Sequence, residues 1–60
     1  MEDRTRYAIV KVDGTKEELI EIAHGANNAE IAIDRCVKAL NKAEREKGVT
    51  IERRLSEWQK

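Results

Sequence analysis

The stretch that decides the fold runs from residue 7 to residue 18 and reads YAIVKVDGTKEE. Its first six residues are mostly apolar and rich in β-forming side chains, and Asp13-Gly14 ends the run. We therefore predict a strand over about residues 6–12. A strand that is apolar on both faces is usually covered on both, or lies in the middle of a sheet. One chain of this length hardly supplies that cover, which favours pairing with a second copy.

The second half of the stretch predicts a helix. Thr15 is followed three residues later by Glu18, a spacing typical of a capping box, in which each side chain bonds the backbone amide of the other residue. A wide apolar side follows, made of Leu19, Ile20, Ile22 and Ala23. We predict a helix over about residues 16–24.

A second helix is predicted after the break at residues 25–28, which read GANN. Glycine is the usual left-handed end of a helix, and Asn27 or Asn28 can cap a new one. Apolar residues then recur with the helical period as far as Gly48. We predict this helix over about residues 29–47.

The last segment favours a strand over about residues 49–55, because Val-Thr-Ile directly follows the glycine that ends the helix. A helix is the alternative, since Ile51, Leu55 and Trp58 also lie at i, i+4 and i+7. With the strand, the order is β-α-α-β, and the helical hairpin makes the strands antiparallel. We predict a single small α+β domain whose strands pair between copies in a homodimer or larger oligomer.

Length and composition limit what the chain can be. A chain of 60 residues buries only about 60% of the surface that it exposes when unfolded. Cys36 is the only cysteine, so no intrachain disulfide forms, and one Cys with one His cannot complete a zinc site without carboxylates. Self-association is the remaining aid to stability. Because 12 basic and 12 acidic side chains cancel, no overall field attracts nucleic acid or an anionic membrane.

The predicted cellular location rests on the length of the apolar runs and on the single thiol. No run approaches the roughly 18 residues of a transmembrane helix, and the N-terminus lacks the order of a signal peptide. A lone thiol without an export signal fits a reducing compartment. We predict a cytoplasmic protein that does not bind membranes.

We predict no catalytic, cofactor-binding or metal site, no cofactor and no enzymatic activity. His24 is interpreted as an exposed residue at the end of the first helix, where a positive charge is mildly favoured. Cys36 lies on the apolar side of the second helix between Ile33 and Leu40, where a free cysteine behaves as a small hydrophobe.

The outer side of the second helix carries the candidate interaction surface. Four basic residues at i, i+3, i+7 and i+10 form one continuous stripe, namely Arg35, Lys38, Lys42 and Arg45. Such a stripe can bind nucleic-acid phosphates or an acidic partner, although it is also typical of a solvated helix face. Ile31 lies beside the stripe and belongs to the same candidate surface. Candidates for self-association are Tyr7, Ile9 and Trp58, which have no obvious place in a monomer core.

A strand, a helix, a break and a second helix over residues 6–47 resemble the ribbon-helix-helix family of dimeric DNA-binding repressors. The best local match is residues 25–31, GANNAEI, which is similar to the turn that opens the second helix of that family. The resemblance implies that two copies pair their strands into a ribbon that enters the major groove. The implied outward residues are Arg6, Ala8, Val10 and Val12 in one register, or Tyr7, Ile9 and Lys11 in the other.

The function that we expect is that of a small, non-enzymatic interaction or regulatory protein, of the accessory or inhibitor type, acting through a protein-binding surface. The alternative is a dimeric nucleic-acid-binding regulator, similar to ribbon-helix-helix proteins, that uses the basic helix stripe. The expected partners are a second copy and another protein. Nucleic acid is the disfavoured partner because the net charge is zero.

Overall fold

The computed structural model of the protein describes residues 4–55. In this part of the chain, three strands form one antiparallel sheet and two helices connect the second strand to the third. The elements in chain order are β1 (Arg6–Asp13), β2 (Lys16–His24), α1 (Ala26–Ala39), α2 (Lys42–Lys47) and β3 (Thr50–Leu55). The α+β class is confirmed. The predicted order β-α-α-β is wrong, because the observed order is β-β-α-α-β.

The helix predicted over residues 16–24 is wrong, because this segment is the strand β2. β1 and β2 form a hairpin in which Asp13 lies opposite Lys16, so two residues make the turn. Gly14 has a φ of 65°, and glycine in the first central position is typical of a two-residue turn that matches the twist of a hairpin. Asp-Gly after an apolar run is a hairpin signal, and here it outweighs the capping-box spacing at Thr15.

A β-bulge explains why the sequence of β2 imitates a helix. Ile9 pairs with Glu21 and Val10 pairs with Leu19, which leaves Ile20 as an extra residue without a partner on β1. The extra residue shifts the two-residue alternation of the strand by one position. The apolar residues therefore fall at positions 19, 20, 22 and 23, a spacing that also fits one side of a helix.

Helix α1 begins directly after β2 because Gly25 turns the chain. Its backbone has a φ of 95° and a ψ of 148°, a region that is essentially limited to glycine. The Gly25 amide donates a hydrogen bond to the Thr5 carbonyl at 2.8 Å, which keeps the end of β2 beside the start of β1. Neither Asn27 nor Asn28 caps the helix, whose N-cap is Gly25. Instead, Asn28 Nδ2 donates to the carbonyl of His24 at 2.7 Å.

The single helix predicted over residues 29–47 is divided into two, because the chain breaks at Leu40 and Asn41. Leu40 is extended, with a φ of −65° and a ψ of 136°, and is buried in the core. Asn41 starts α2 with a capping box. Its Oδ1 accepts from the Glu44 amide at 2.8 Å, and Glu44 Oε1 accepts from the Asn41 amide at 3.0 Å. Gly48, in the left-handed conformation, ends α2 as the sequence predicts.

Strand β3 confirms the strand predicted over residues 49–55. It pairs antiparallel with β1, and the strand order is β2-β1-β3. β1 is therefore the middle strand of the sheet, and strands of the same chain flank both its edges. The ribbon that the ribbon-helix-helix resemblance implies would need a free edge on β1, which this fold does not offer.

Helix α1 covers one face of the sheet, where it contacts all three strands, and the core lies between the two layers. Ile9, in the middle of β1, is fully buried. The other buried residues of the cluster are Ala23, Ala29, Ala32, Leu40, Val49 and Ile51. Two of them are alanines on α1, whose small side chains let the helix backbone lie close to the sheet.

Candidate interaction surface

The outer edge of β2 carries exposed apolar side chains beside unpaired backbone. Within residues 4–55, β2 pairs with β1 on one side and with no strand on the other. Leu19 is 46% exposed, and Ile20, the bulge residue, is 41% exposed. A strand edge that combines apolar side chains with unpaired amides and carbonyls is a template for another strand.

Leu19 and Ile20 also line an open groove of about 390 Å³ between β2 and the C-terminal end of α1. The remaining apolar lining consists of Cys36, Ala39, Leu40 and Ile51. The polar lining consists of Lys11, Glu18 and Glu44. This volume is at the low end of the roughly 300–1,000 Å³ of small-molecule pockets. The groove is large enough for one or two side chains from a partner.

An ion pair fixes the polar part of the groove. Lys11 Nζ donates a hydrogen bond to Glu44 Oε2 at 2.8 Å. This bond raises the pKa of Lys11 and lowers the pKa of Glu44, whose carboxylate also accepts from the Asn41 amide. Glu18 also raises the pKa of Lys11 through its charge. Within residues 4–55 Glu18 forms no ion pair of its own. The polar part of the groove therefore combines one lysine with two carboxylates, those of Glu18 and Glu44.

The flank of α1 on the β2 side carries Ile31, Arg35 and Lys38, spaced at i, i+4 and i+7, and we call it the basic flank. Arg35 Nη2 donates to both carboxylate oxygens of Glu21, at 2.7 and 2.9 Å, and so joins the flank to β2. Ile31 is 54% exposed and lies beside residues 22–24 of the strand. Three of the residues predicted for the interaction surface are therefore brought together.

The predicted continuous stripe is interrupted, because α1 ends at Ala39 and the other two basic residues, Lys42 and Arg45, belong to α2. Lys38 Nζ pairs with Asp34 Oδ2 at 3.2 Å. Arg45 Nη2 donates to the Lys38 carbonyl at 3.4 Å. The four basic residues therefore form two pairs on separate helices, Arg35 and Lys38 on α1 and Lys42 and Arg45 on α2.

The three residues predicted for self-association have different places in the structure. Ile9 is fully buried in the core of the chain and offers no surface to a second copy, so its assignment to self-association does not hold. Tyr7 packs against the same core, and the guanidinium carbon of Arg53 lies 5.1 Å from the centroid of its ring. Trp58 lies outside the described residues.

The two residues considered for chemistry are separated. His24 is the exposed last residue of β2 and does not end a helix. Cys36 is half-buried on α1, packs against the core and lines the groove, as expected of a small hydrophobe. In the part of the chain that the structure describes, no group of three or more His, Cys, Asp and Glu residues is arranged to hold a metal ion.

The other edge of the sheet, β3, is charged. Glu52, Arg53 and Arg54 occupy three of its six positions. Arg54 donates to Glu52 at 2.8 Å and to Glu17 of β2 at 3.0 Å. These bonds raise the pKa of Arg54, and the bond from Arg54 lowers the pKa of Glu52. Charged side chains are a common means of keeping an edge strand unpaired.

Comparison of the chain with protein-family models, with curated proteins and with solved structures finds no match. Neither helix within residues 4–55 has the length and apolar character needed to cross a membrane. Because no known protein matches, we infer the function from the exposed surface around β2.

The exposure of Leu19 and Ile20 is the surface feature that the sequence interpretation missed, because it assigned both residues to the apolar side of a helix. The signal that identifies them is the hairpin turn at Asp13-Gly14. Once residues 16–24 are taken as a strand, side chains alternate between the two faces, so two adjacent apolar residues do not share one core-facing row.

Proposed function

We propose that the protein is a small, non-enzymatic interaction or regulatory protein that acts through a protein-binding surface. The observation that carries this proposal is the outer edge of β2, where exposed Leu19 and Ile20 lie beside unpaired backbone. Proteins that bind extended segments commonly add a partner's strand to such an edge. Backbone hydrogen bonds then give affinity, and side-chain pockets give specificity. The groove beside Leu19 and Ile20 is such a pocket.

The difference between the two sheet edges supports β2 as the binding edge. Three of the four charged residues of β2 occupy its first three positions, which leaves residues 19–23 with Glu21 as their single charge. The three charged residues of β3 lie together at residues 52–54 and leave no comparable apolar stretch, and such charges are typical of an edge that stays unpaired. We propose that self-association into a homodimer or larger oligomer also uses the strands, and that the strand involved is β2.

A nucleic-acid-binding regulator has less support. Arg35 and Lys38 each lie beside an acidic side chain, at 2.7 and 3.2 Å, so much of their charge is already neutralised. β1 also lacks the free edge that a DNA-binding ribbon needs. Titration with mixed-sequence duplex DNA at low and physiological salt tests this alternative. Binding with a steep salt dependence, lost on charge reversal of Arg35 and Lys38, would support it over the protein-binding function.

Affinity capture from the cells that produce the protein tests the proposed function. The baits are the tagged wild-type chain, Leu19→Lys on β2 and Leu55→Lys on β3. Leu55 is a matched control because it is a 59% exposed leucine on the opposite edge strand. We expect a partner protein that binds the wild type and Leu55→Lys but not Leu19→Lys. Equal capture by all three baits would contradict a function located at the edge of β2.

A further inference from the structure

The exposed apolar residues around β2 lie where a second copy of the same chain can cover them. We propose that two copies pair antiparallel through the outer edges of their β2 strands, about a two-fold axis near Ile20. In this dimer Ile31 of each copy enters the groove of the other. The inference rests on the proposed function, since it names the occupant of the same surface.

The positions of the groove and of Ile31 along β2 lead to this arrangement. The groove includes residues 18–20, in the first half of the strand, whereas Ile31 lies beside residues 22–24, in the second half. In an antiparallel pair centred on the middle of Lys16–His24, the first half of one strand lies beside the second half of the other. Each Ile31 is therefore directed to the partner's groove. The contact occurs twice, as a two-fold interface requires.

The groove and Ile31 also lie in the same layer of the molecule. Lys11, opposite Glu18 in the hairpin, reaches Glu44 of α2, which places this part of the groove on the helix-covered face of the sheet. Ile31 belongs to α1 on that face. Neighbouring antiparallel strands are related by a two-fold axis perpendicular to the sheet, so the helices of both copies lie on one side of the combined sheet.

The charges of the two surfaces do not oppose the pairing. Arg35 pairs with Glu21 and Lys38 pairs with Asp34 within each copy, so both sides of the contact carry charges of both signs. A surface with a single sign of charge would instead repel its own copy.

The bulge at Ile20 makes the contact of Ile31 important for affinity. An extra residue disrupts the regular ladder of a strand. Pairing between copies therefore consists of two short segments, one on each side of Ile20, rather than one long ladder. Burial of two Ile31 side chains and of the Leu19 and Ile20 side chains adds the apolar area that such short ladders lack.

The first test measures the dimer dissociation constant by sedimentation equilibrium for the wild type, Ile31→Glu and Val37→Glu. Ile31→Glu removes the apolar contact and places a carboxylate opposite Glu18 of the partner subunit, so we expect dimerisation at least about tenfold weaker. Val37 is the matched control, because it is 41% exposed on the same helix but lines a different groove, with Ile33 and Arg53. We expect its variant to dimerise like the wild type.

A rescue experiment separates contact between copies from loss of folding. Glu18 lies in the first half of β2, whereas Ile31 of α1 lies beside the second half of the same strand. The charges introduced by Glu18→Lys and Ile31→Glu therefore meet only across the interface. We expect the double variant to dimerise about threefold or more tightly than Ile31→Glu alone. Circular dichroism verifies that each variant is folded.

Three results would overturn the inference. They are a wild-type chain that stays monomeric at millimolar concentration, a dimer that is insensitive to Ile31→Glu, and a double variant without recovery. Each is distinct from failure of the proposed function. A monomer that still loses its captured partner through Leu19→Lys would refute the second copy as the occupant and retain the protein-binding role of β2.

Discussion

The replacement Gly25→Ala tests the turn that joins the edge strand β2 to α1. Gly25 has a φ of 95° and a ψ of 148°, and a residue other than glycine in this region costs about 1–3 kcal/mol. Alanine also restricts the unfolded chain, which offsets about 0.4–1 kcal/mol of that cost. At the centres of these two ranges, the net loss in the free energy of unfolding is about 1.3 kcal/mol. For a chain of this length, with about 3–9 kcal/mol in total, this is a substantial fraction.

Urea denaturation followed by circular dichroism measures this loss. All samples need the same protein concentration, because self-association makes the apparent stability depend on concentration. Gly14→Ala is the control: Gly14 has a φ of 65° in the hairpin turn, where a side chain costs about 1–2 kcal/mol before the same offset. We expect a larger loss at Gly25 than at Gly14. A Gly25→Ala variant within about 0.5 kcal/mol of the wild type would refute the reasoning.

The capping box of α2 and its ion pair give two further predictions. Asn41→Ala removes the cap of α2 and should lower the free energy of unfolding by about 1 kcal/mol. Asn27→Ala is the control, at a position without a capping hydrogen bond, and should change this free energy by less than about 0.5 kcal/mol. Equal urea midpoints for the two variants would contradict the prediction. The bond from Lys11 lowers the pKa of Glu44 in the folded state. The ion pair therefore contributes to stability above the pKa that Glu44 has in the unfolded chain, and this contribution is lost as the pH falls through the pKa of Glu44 in the folded chain. Glu44→Gln should therefore make urea stability fall less steeply on acidification than it does in the wild type, and parallel acid profiles would show that the pair does not contribute.

The sequence predicts the elements whose signals are local. The apolar run that ends at Asp13-Gly14 indicates β1, and the apolar segment after Gly48 indicates β3. β2 escapes prediction because Ile20 is an extra residue in the strand and converts a two-residue alternation into a helix-like spacing. The sequence contains a signal for the break in the second predicted helix, because Asn41 and Glu44 have the spacing of a capping box. The helical period of apolar residues continues across Leu40, however, and hides this signal.

Only those parts of the candidate surface that depend on a local sequence pattern could be predicted. Ile31, Arg35 and Lys38 follow from the helical period alone, and α1 keeps them on one flank. The exposed edge of β2 does not follow from any local pattern. Whether a strand lies at the edge or in the middle depends on which strands it pairs with, and the pairing of β1 with both neighbours is a property of the whole chain.

Amide hydrogen exchange, measured residue by residue by NMR at several protein concentrations, tests the central claim that the outer edge of β2 is the binding edge. The informative amides are those of β2 that point away from β1, and those of β3 that point away from β1 are the internal reference. We predict that the outward amides of β2 become protected as the concentration rises from micromolar to millimolar, while the outward amides of β3 exchange rapidly throughout. Rapid exchange of the outward β2 amides at every concentration, or protection that develops at β3 instead, would contradict the account.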